Sequence, residues 1–218
     1  MMMHFEFLIE DQSSAKSMDI LLPKLLAGKA TYRIIRPYKG LGKSIPKKLQ
    51  PKSDASKRIL LNQLPRLLRG YGNVPNIGCI VVICDLDDRN EKDFLSELNI
   101  VLQACNPKPN ACFCFAIEEF EAWYLGDLDA IKKAFPKAKD NILNSYKNDS
   151  ICGTWELLAN AVYKGGSKVL EKKGWQATGK EKSNWAERIS PHMKIDNNKS
   201  PSFNKMIGQL RAITASAV

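Results

Sequence analysis

Three apolar runs in this chain end on carboxylates, the side chains that hold hard divalent cations. Cys79-Ile80-Val81-Val82-Ile83-Cys84 stops on Asp85-Leu86-Asp87-Asp88, and Phe5-Glu6-Phe7-Leu8-Ile9 stops on Glu10. A third run, Cys112-Phe113-Cys114-Phe115-Ala116-Ile117, leads into Glu118-Glu119-Phe120-Glu121. An apolar run without polar alternation reads as a strand buried on both faces, as in a parallel sheet covered by helices. Proteins of that class place their ligands at the carboxyl ends of the strands. Asp85 and Asp87 lie two apart, so both point into one cleft if the extended geometry continues. Joined by Glu10 from a neighbouring strand end, they offer the oxygen ligands that Mg²⁺ or Mn²⁺ takes, and two or three suffice because the ion keeps several waters. Glu10, Asp85 and Asp87 are therefore the predicted catalytic and metal-binding set, with Glu119 and Glu121 as further cleft-facing ligands. An ion held there polarises a phosphate, helps generate hydroxide and stabilises the leaving oxygen.

Each acid also has a structural use. Asp87, Asp88 or Asn90 can cap a helix that begins near Glu91, and Ser13 or Ser14 can cap one that follows Glu10. Acids in the first turn of the helix after Glu118 favour its dipole. Asp85 is harder to explain in this way, because it directly terminates a six-residue apolar run.

The 33 Lys+Arg against 23 Asp+Glu give a net charge of +10. An acidic site inside a basic chain suits an enzyme acting on a polyanion, with distributed cations for the phosphates and local carboxylates for the metal. Lys39, Lys43, Arg66, Arg69, Lys180 and Lys182 are the predicted phosphate-gripping residues; a solvated surface charge is the ordinary use of each. Trp175 and Trp185, flanked by lysines, carry ring faces that can stack on bases or pack in a core. With two histidines and six cysteines that form no CxxC pair, zinc is not expected. The cysteines read as buried free thiols of a reducing compartment. No apolar stretch is long enough to span a bilayer and no secretory leader is evident, so the cytoplasm is the expected location.

The carboxylates need a scaffold, and the pattern supplies one. Strand-like segments at Phe5–Ile9, Thr31–Pro37, Cys79–Cys84 and Ala111–Ile117 alternate with helical periodicities. Those run from Met18 to Leu26, Leu60 to Leu68, Phe94 to Cys105 and Trp123 to Phe135. A basic loop, Lys39 to Lys43 and then Pro46-Lys47-Lys48, follows the second strand. Such alternation predicts the α/β class, with a parallel sheet and helices on both faces. Residues 1–136 form this core. Residues 137–218 read as a helical, lysine-rich appendage packed on it, with helices at 154–163, 184–193 and 201–213 and a Gly-Lys-rich stretch over 164–182.

Glu after a first strand and Asp-x-Asp after a later one resembles the Toprim domain of topoisomerases, primases, recombination proteins and OLD-family nucleases. Asp11 stands where Toprim proteins usually have glycine after the glutamate. The chain also resembles an uncharacterised bacterial Toprim-like family whose genes often neighbour ATPases. The matching stretches are Phe7–Asp11, Leu64–Gly72, Val82–Asp88, Glu119–Leu125 and Ser200–Phe203. The resemblance implies a Toprim/Rossmann-like fold that binds a divalent metal, and a possible ATPase partner.

The leading expectation is a Mg²⁺- or Mn²⁺-dependent nuclease, with Glu10, Asp85 and Asp87 on the metal. A non-catalytic partner module is the first alternative. A haloacid-dehalogenase-like phosphatase is the second, since Asp85-Leu86-Asp87 resembles its nucleophile motif, although Arg89 stands where that motif has Thr or Val. The chain has no Gly-x-Ser-x-Gly elbow and no Gly-rich lysine loop, so serine-hydrolase and ATPase chemistry are not expected.

Overall fold

The computed structural model describes residues 2–35, 38–46 and 59–216. The predicted strand positions 36 and 37, and Lys47 and Lys48 of the basic loop, lie outside these residues. Four strands alternate with helices in the first half: β1 (Met3–Ile9), α1 (Gln12–Leu26), β2 (Ala30–Ile34), α2 (Leu60–Gly72), β3 (Cys79–Asp85), α3 (Glu91–Gln103) and β4 (Ala111–Ala116). They form one all-parallel sheet in the order β2-β1-β3-β4. The protein is an α/β protein with a parallel-sheet core and C-terminal helices.

The strand residues divide by parity between two apolar layers, as side chains of a pleated strand must. Phe5, Phe7, Ile9, Cys79, Val81, Ile83, Cys114 and Ala116 join one layer. Leu8, Ile80, Val82, Cys84, Phe113 and Phe115 join the other, beneath α2 and α3. Both faces are covered, which is why β3 and β4 read as unbroken apolar runs, whereas the edge strand β2 alternates.

After β4 the chain is helical: α4 (Glu121–Leu125), α5 (Leu128–Ala134), α6 (Asp140–Leu143), α7 (Thr154–Val162), α8 (Gly166–Glu171), α9 (Trp175–Ile189), a short 3₁₀ turn at Ser190–His192, and α10 (Pro201–Ala215). The helix expected from Trp123 to Phe135 is two helices. The chain turns at Gly126, and Asp127 caps α5 by accepting from Ala130 N–H at 3.1 Å. The Gly-Lys-rich stretch, to which the sequence assigns no helix, is α8 and the first half of α9. Its glycines punctuate it rather than loosen it, because Gly165, Gly166 and Gly174 take positive φ at the helix starts.

Leu158, Leu170, Trp185, Ile189, Phe203 and Leu210 belong to the same buried layer as Phe7 and Val81. Trp123 ties the two segments: its indole N–H donates to Ser202 Oγ at 3.0 Å, and its ring meets Phe203 edge-on at 5.5 Å between centroids. Ser200 caps α10 by accepting from Phe203 N–H, with Pro201 in the first turn. No helix among the described residues is long and apolar enough to cross a membrane.

Two caps bear on the carboxylates. Asp11, not Ser13 or Ser14, caps α1; it accepts from Ser14 N–H at 2.9 Å, and both serine hydroxyls donate to it. Asn90 caps α3, accepting from Lys92 N–H at 3.0 Å and Asp93 N–H at 3.2 Å, which leaves Asp85, Asp87 and Asp88 out of that role. Asn90→Ala is expected to lower stability by about 1 kcal/mol and to leave metal response untouched. Urea unfolding with and without Mn²⁺ checks both, and a changed metal response would place Asn90 in the site instead.

Candidate functional site

Adjacent parallel strands bring their carboxyl ends to a common rim. Ile9 pairs with Ile83 in the register of β1 and β3, and Asp85 with Ala116 in that of β3 and β4. Glu10 therefore emerges beside Asp85. The Asp85 N–H donates to Glu10 Oε2 at 2.9 Å, and the Glu10 N–H donates to Ile83 O at 3.1 Å. The loop after β2 closes over this point, with Tyr38 N–H on Ile9 O and Gly40 N–H on Glu10 O, both at 3.2 Å.

Two half-buried carboxylates side by side are electrostatically costly. Burial raises the Glu10 carboxyl from its ordinary 4.5 to about 7, and Asp11 and Asp87 push the same way; the N–H groups of Asp85 and Leu41 oppose them. Asp85 is pushed well above the usual carboxylate range, first by burial and then by Glu10 and Asp11. Asp85 accepts no side-chain hydrogen bond among the described residues. Ionising both acids would leave negative charge at this strand end that the chain only partly compensates.

Part of the compensation is one ammonium from the C-terminal half. Asp85 shares the parity of Ile83 and so faces the layer containing α4 and α9. There Lys182 of α9 reaches Glu119 Oε1 and Glu121 Oε2, both at 3.3 Å, and lies 5.8 Å from the centroid of the Trp155 ring. Burial pulls the Lys182 ammonium down, but Glu121, Glu119, Asp85 and Asp11 outweigh it and hold it protonated. Glu121 is buried; its desolvation, reinforced by Glu119 and Asp11, prevails over Lys182 and raises its carboxyl to about 7. One lysine does not neutralise this many acids.

The predicted residues thus separate. Glu10, Asp85, Glu119 and Glu121 share one electrostatic cluster, while Asp87, although its charge still raises Glu10, turns its carboxylate outward. Its φ of +53° ends the extended geometry, and its carboxylate pairs with Arg89 at 2.6 Å on the exposed side. Arg89 also donates to Gly42 O at 3.0 Å. Glu119 is engaged three times over, accepting from Trp155 N–H at 3.2 Å and the Thr154 hydroxyl at 3.4 Å as well as from Lys182. Glu118 accepts from the N–H groups of Cys152, Gly153 and Thr154 at 2.8 to 3.1 Å, where α7 begins. Among the described residues no group of three or more His, Cys, Asp or Glu side chains is arranged to hold a metal ion.

The basic residues separate as well. Lys39 and Lys43 are exposed on the loop that covers Glu10. Arg66 and Arg69 are exposed on α2, which leaves the rim at Leu60 and runs back along the sheet. In the last turn of α2 the Tyr71 hydroxyl meets Glu6 at 3.4 Å, so these two arginines recede from the acids. Lys180 is exposed on α9, whereas Lys182, expected on the nucleic-acid surface, is the acids' own counter-ion. No local signal assigned Lys182 that role. The spacing of Lys182, Trp185, Ala186 and Ile189 on one helical face was the available clue.

A family model matches residues 9–211, from the end of β1 into α10. The chain belongs to the DUF4276 family, described as a domain of unknown function. The match takes in both the strand-borne acids and Lys182, together with β2, β3, β4 and the helices that deliver the counter-ion. No curated protein and no solved structure matches this chain.

Proposed function

We propose that this DUF4276 protein is a cytoplasmic, Toprim-like, divalent-cation-dependent enzyme that cleaves phosphodiester bonds in nucleic acid. One observation carries the reading: Glu10 and Asp85, from neighbouring strand ends, are held in contact at the rim with raised proton affinity and incomplete compensation. Groups in this condition favour a cation.

The donor set fits Mg²⁺ or Mn²⁺, which takes hard oxygen ligands and binds through one or two carboxylates together with waters and substrate phosphates. A preformed cage of three protein acids is not required for such an ion. Glu10 and Asp85 would hold it, and Asp87 serves the rim through Arg89. When bound, the cation polarises a phosphate oxygen and stabilises charge developing on the leaving oxygen.

The chain's own groups do the rest. Glu119 or Glu121, both paired with the Lys182 ammonium, would help to orient the attacking water. Lys39, Lys43 and Lys180 supply exposed positive charge for the phosphodiester backbone. The buried or half-buried free thiols Cys79, Cys84, Cys105, Cys112 and Cys114 accord with a reducing compartment.

A second reading is favoured by Lys182: an ammonium among the acids is also how a non-catalytic module, for instance a partner of an ATPase, would neutralise them. The discriminating experiment incubates the purified protein with plasmid and single-stranded substrates in Mg²⁺, Mn²⁺ or EDTA. Cleavage is expected with the cations alone, and Asp85→Asn is expected to reduce it by more than ~100-fold. Cleavage that survives in Asp85→Asn refutes the assignment. Absence of cation binding by calorimetry favours the module.

A further inference from the structure

Of the four tryptophans, Trp123 and Trp185 are fully buried and Trp155 is half-buried against Lys182, whereas Trp175 is 82% exposed. Trp175 opens α9 from the same face as Lys182. Seven residues bring a helix round to within about 20° of the starting direction and advance it ~10 Å. The stripe that Ile189, Ala186, Trp185 and Lys182 bury thus continues to Trp175 and emerges into solvent.

The direction of emergence follows from α1. That helix starts at the rim and descends, and α9 descends beside it: Lys16 pairs with Glu187, and Ser190 Oγ donates to Ser17 Oγ at 3.0 Å. The first turn of α9 therefore projects outward beyond the acids.

Its surroundings are basic. Between residues 163 and 180 there are five lysines and one acid, Glu171. Lys164, Lys168, Lys172 and Lys180 are exposed; Lys173 is engaged by the Tyr163 hydroxyl at 2.8 Å. Among the described residues Val169 is the only other exposed large apolar side chain at this corner. That is too little apolar surface for a bilayer-inserting face, but a free aromatic ring among ammonium groups has the elements of a strand-binding platform. Rings stack on any base while cations track the phosphates.

We infer that the α8–α9 corner, led by Trp175 with Lys168 and Lys172, binds single-stranded nucleic acid and presents it to the Glu10–Asp85 rim. This deepens the cleavage reading and rests on it for the substrate class. The ~10 Å between Trp175 and Lys182 corresponds to roughly three nucleotides at the ~3.4 Å rise of a stacked strand.

The test measures binding of a fluorescein-labelled thymidine oligonucleotide by the full chain in EDTA, where no cleavage is required. Trp175→Ala is expected to weaken binding about 5- to 160-fold, the range that stacking of one base supplies, while Trp175→Phe retains most of it. Lys168→Ala with Lys172→Ala is expected to flatten the dependence of log affinity on log salt by about 1.4. Because Trp175 is exposed, an unchanged melting temperature verifies the fold of each variant.

Unaltered oligonucleotide affinity in Trp175→Ala overturns the platform. So does a result in which that variant loses only binding to phosphatidylserine-containing vesicles, which makes the corner a membrane contact. The outcomes separate from those of the cleavage test. Trp175-dependent binding without cation-dependent cutting keeps the platform and removes the enzyme; cutting with unchanged KM in Trp175→Ala does the reverse.

Discussion

Lys182→Met is expected to lower stability at pH 8 by about 3–5 kcal/mol, the usual consequence of removing one partner from a buried ion pair. For a chain of this length that corresponds to a fall of roughly 6–20 °C in Tm. The lost ammonium sits 3.3 Å from both Glu119 and Glu121, and it also offsets Asp85. Methionine preserves much of the aliphatic stem, so the loss reports on charge. Burial already raises the Glu121 carboxyl to about 7 with the lysine present, and removal of the lysine raises it further. Acidification protonates the acids and removes the repulsion, so the loss at pH 5 is expected to be less than half that at pH 8. Urea unfolding at the two pH values checks this. An equal loss at both would assign Lys182 a packing role instead. Under the cation-binding reading, Mn²⁺ is expected to restore part of the stability at pH 8.

The second large effect belongs to Glu10→Gln, which is expected to make the cation-free protein more stable at pH 8. The glutamate's folded value of about 7 lies above its ordinary 4.5, so the folded state retains a proton that the unfolded chain releases first. Below pH 4.5 both states are protonated and the contribution is fully present. As pH rises from 4.5 through 7 it is lost, at about 1.4 kcal/mol per pH unit, to a total of the order of 3 kcal/mol. Glutamine keeps an oxygen for the Asp85 N–H but carries no charge. The variant and the wild type should therefore match near pH 4, with the variant ahead at pH 8. Mg²⁺ or Mn²⁺ at 100 times its Kd should then stabilise the wild type by ~2.7 kcal/mol and the variant much less. Thermal melts across pH 4–8, with and without cation, decide it. Parallel pH profiles would mean that Glu10 is already satisfied and carries no unmet demand for a cation.

The two effects have one origin. Strand ends gather carboxylates because parallel strands finish together, and the helices above them shed the water that would screen the charge. Lys182 answers part of that demand and Glu10 with Asp85 leaves the rest. The site's response to pH and its response to cations are therefore expected to be two readings of one imbalance.

Much of the scaffold was legible in the residue pattern, for a local reason. Strands buried on both faces are mostly apolar, and that marked β3 and β4 and, despite Glu6 within it, β1, with their acidic ends. Glu10 and Asp85 followed, because parallel neighbours place consecutive strand ends on one rim. Asp87 did not follow: its place in the cleft assumed two more residues of extended chain, and a single left-handed residue directs it to Arg89. The capping of α1 by Asp11 instead of Ser13 or Ser14 turned on a one-turn shift of the helix start. The α8–α9 segment showed no helix in the residue pattern because glycine and lysine weaken the helical signal, whereas three of its glycines mark helix starts.

What the amino-acid order determined by itself is the α/β class, the strand-borne acids and the excess of positive charge, since each depends on periodicity or composition within a few residues. What only the tertiary structure decided is which charges meet. Lys182 lies 97 residues beyond Asp85 in the chain, and nothing local distinguishes it from Lys180, two residues away. Packing of α9 against α1 turns one of them into the acids and leaves the other in water. The same packing holds Trp185 in the core and Trp175 outside it, a difference that side-chain identity cannot encode.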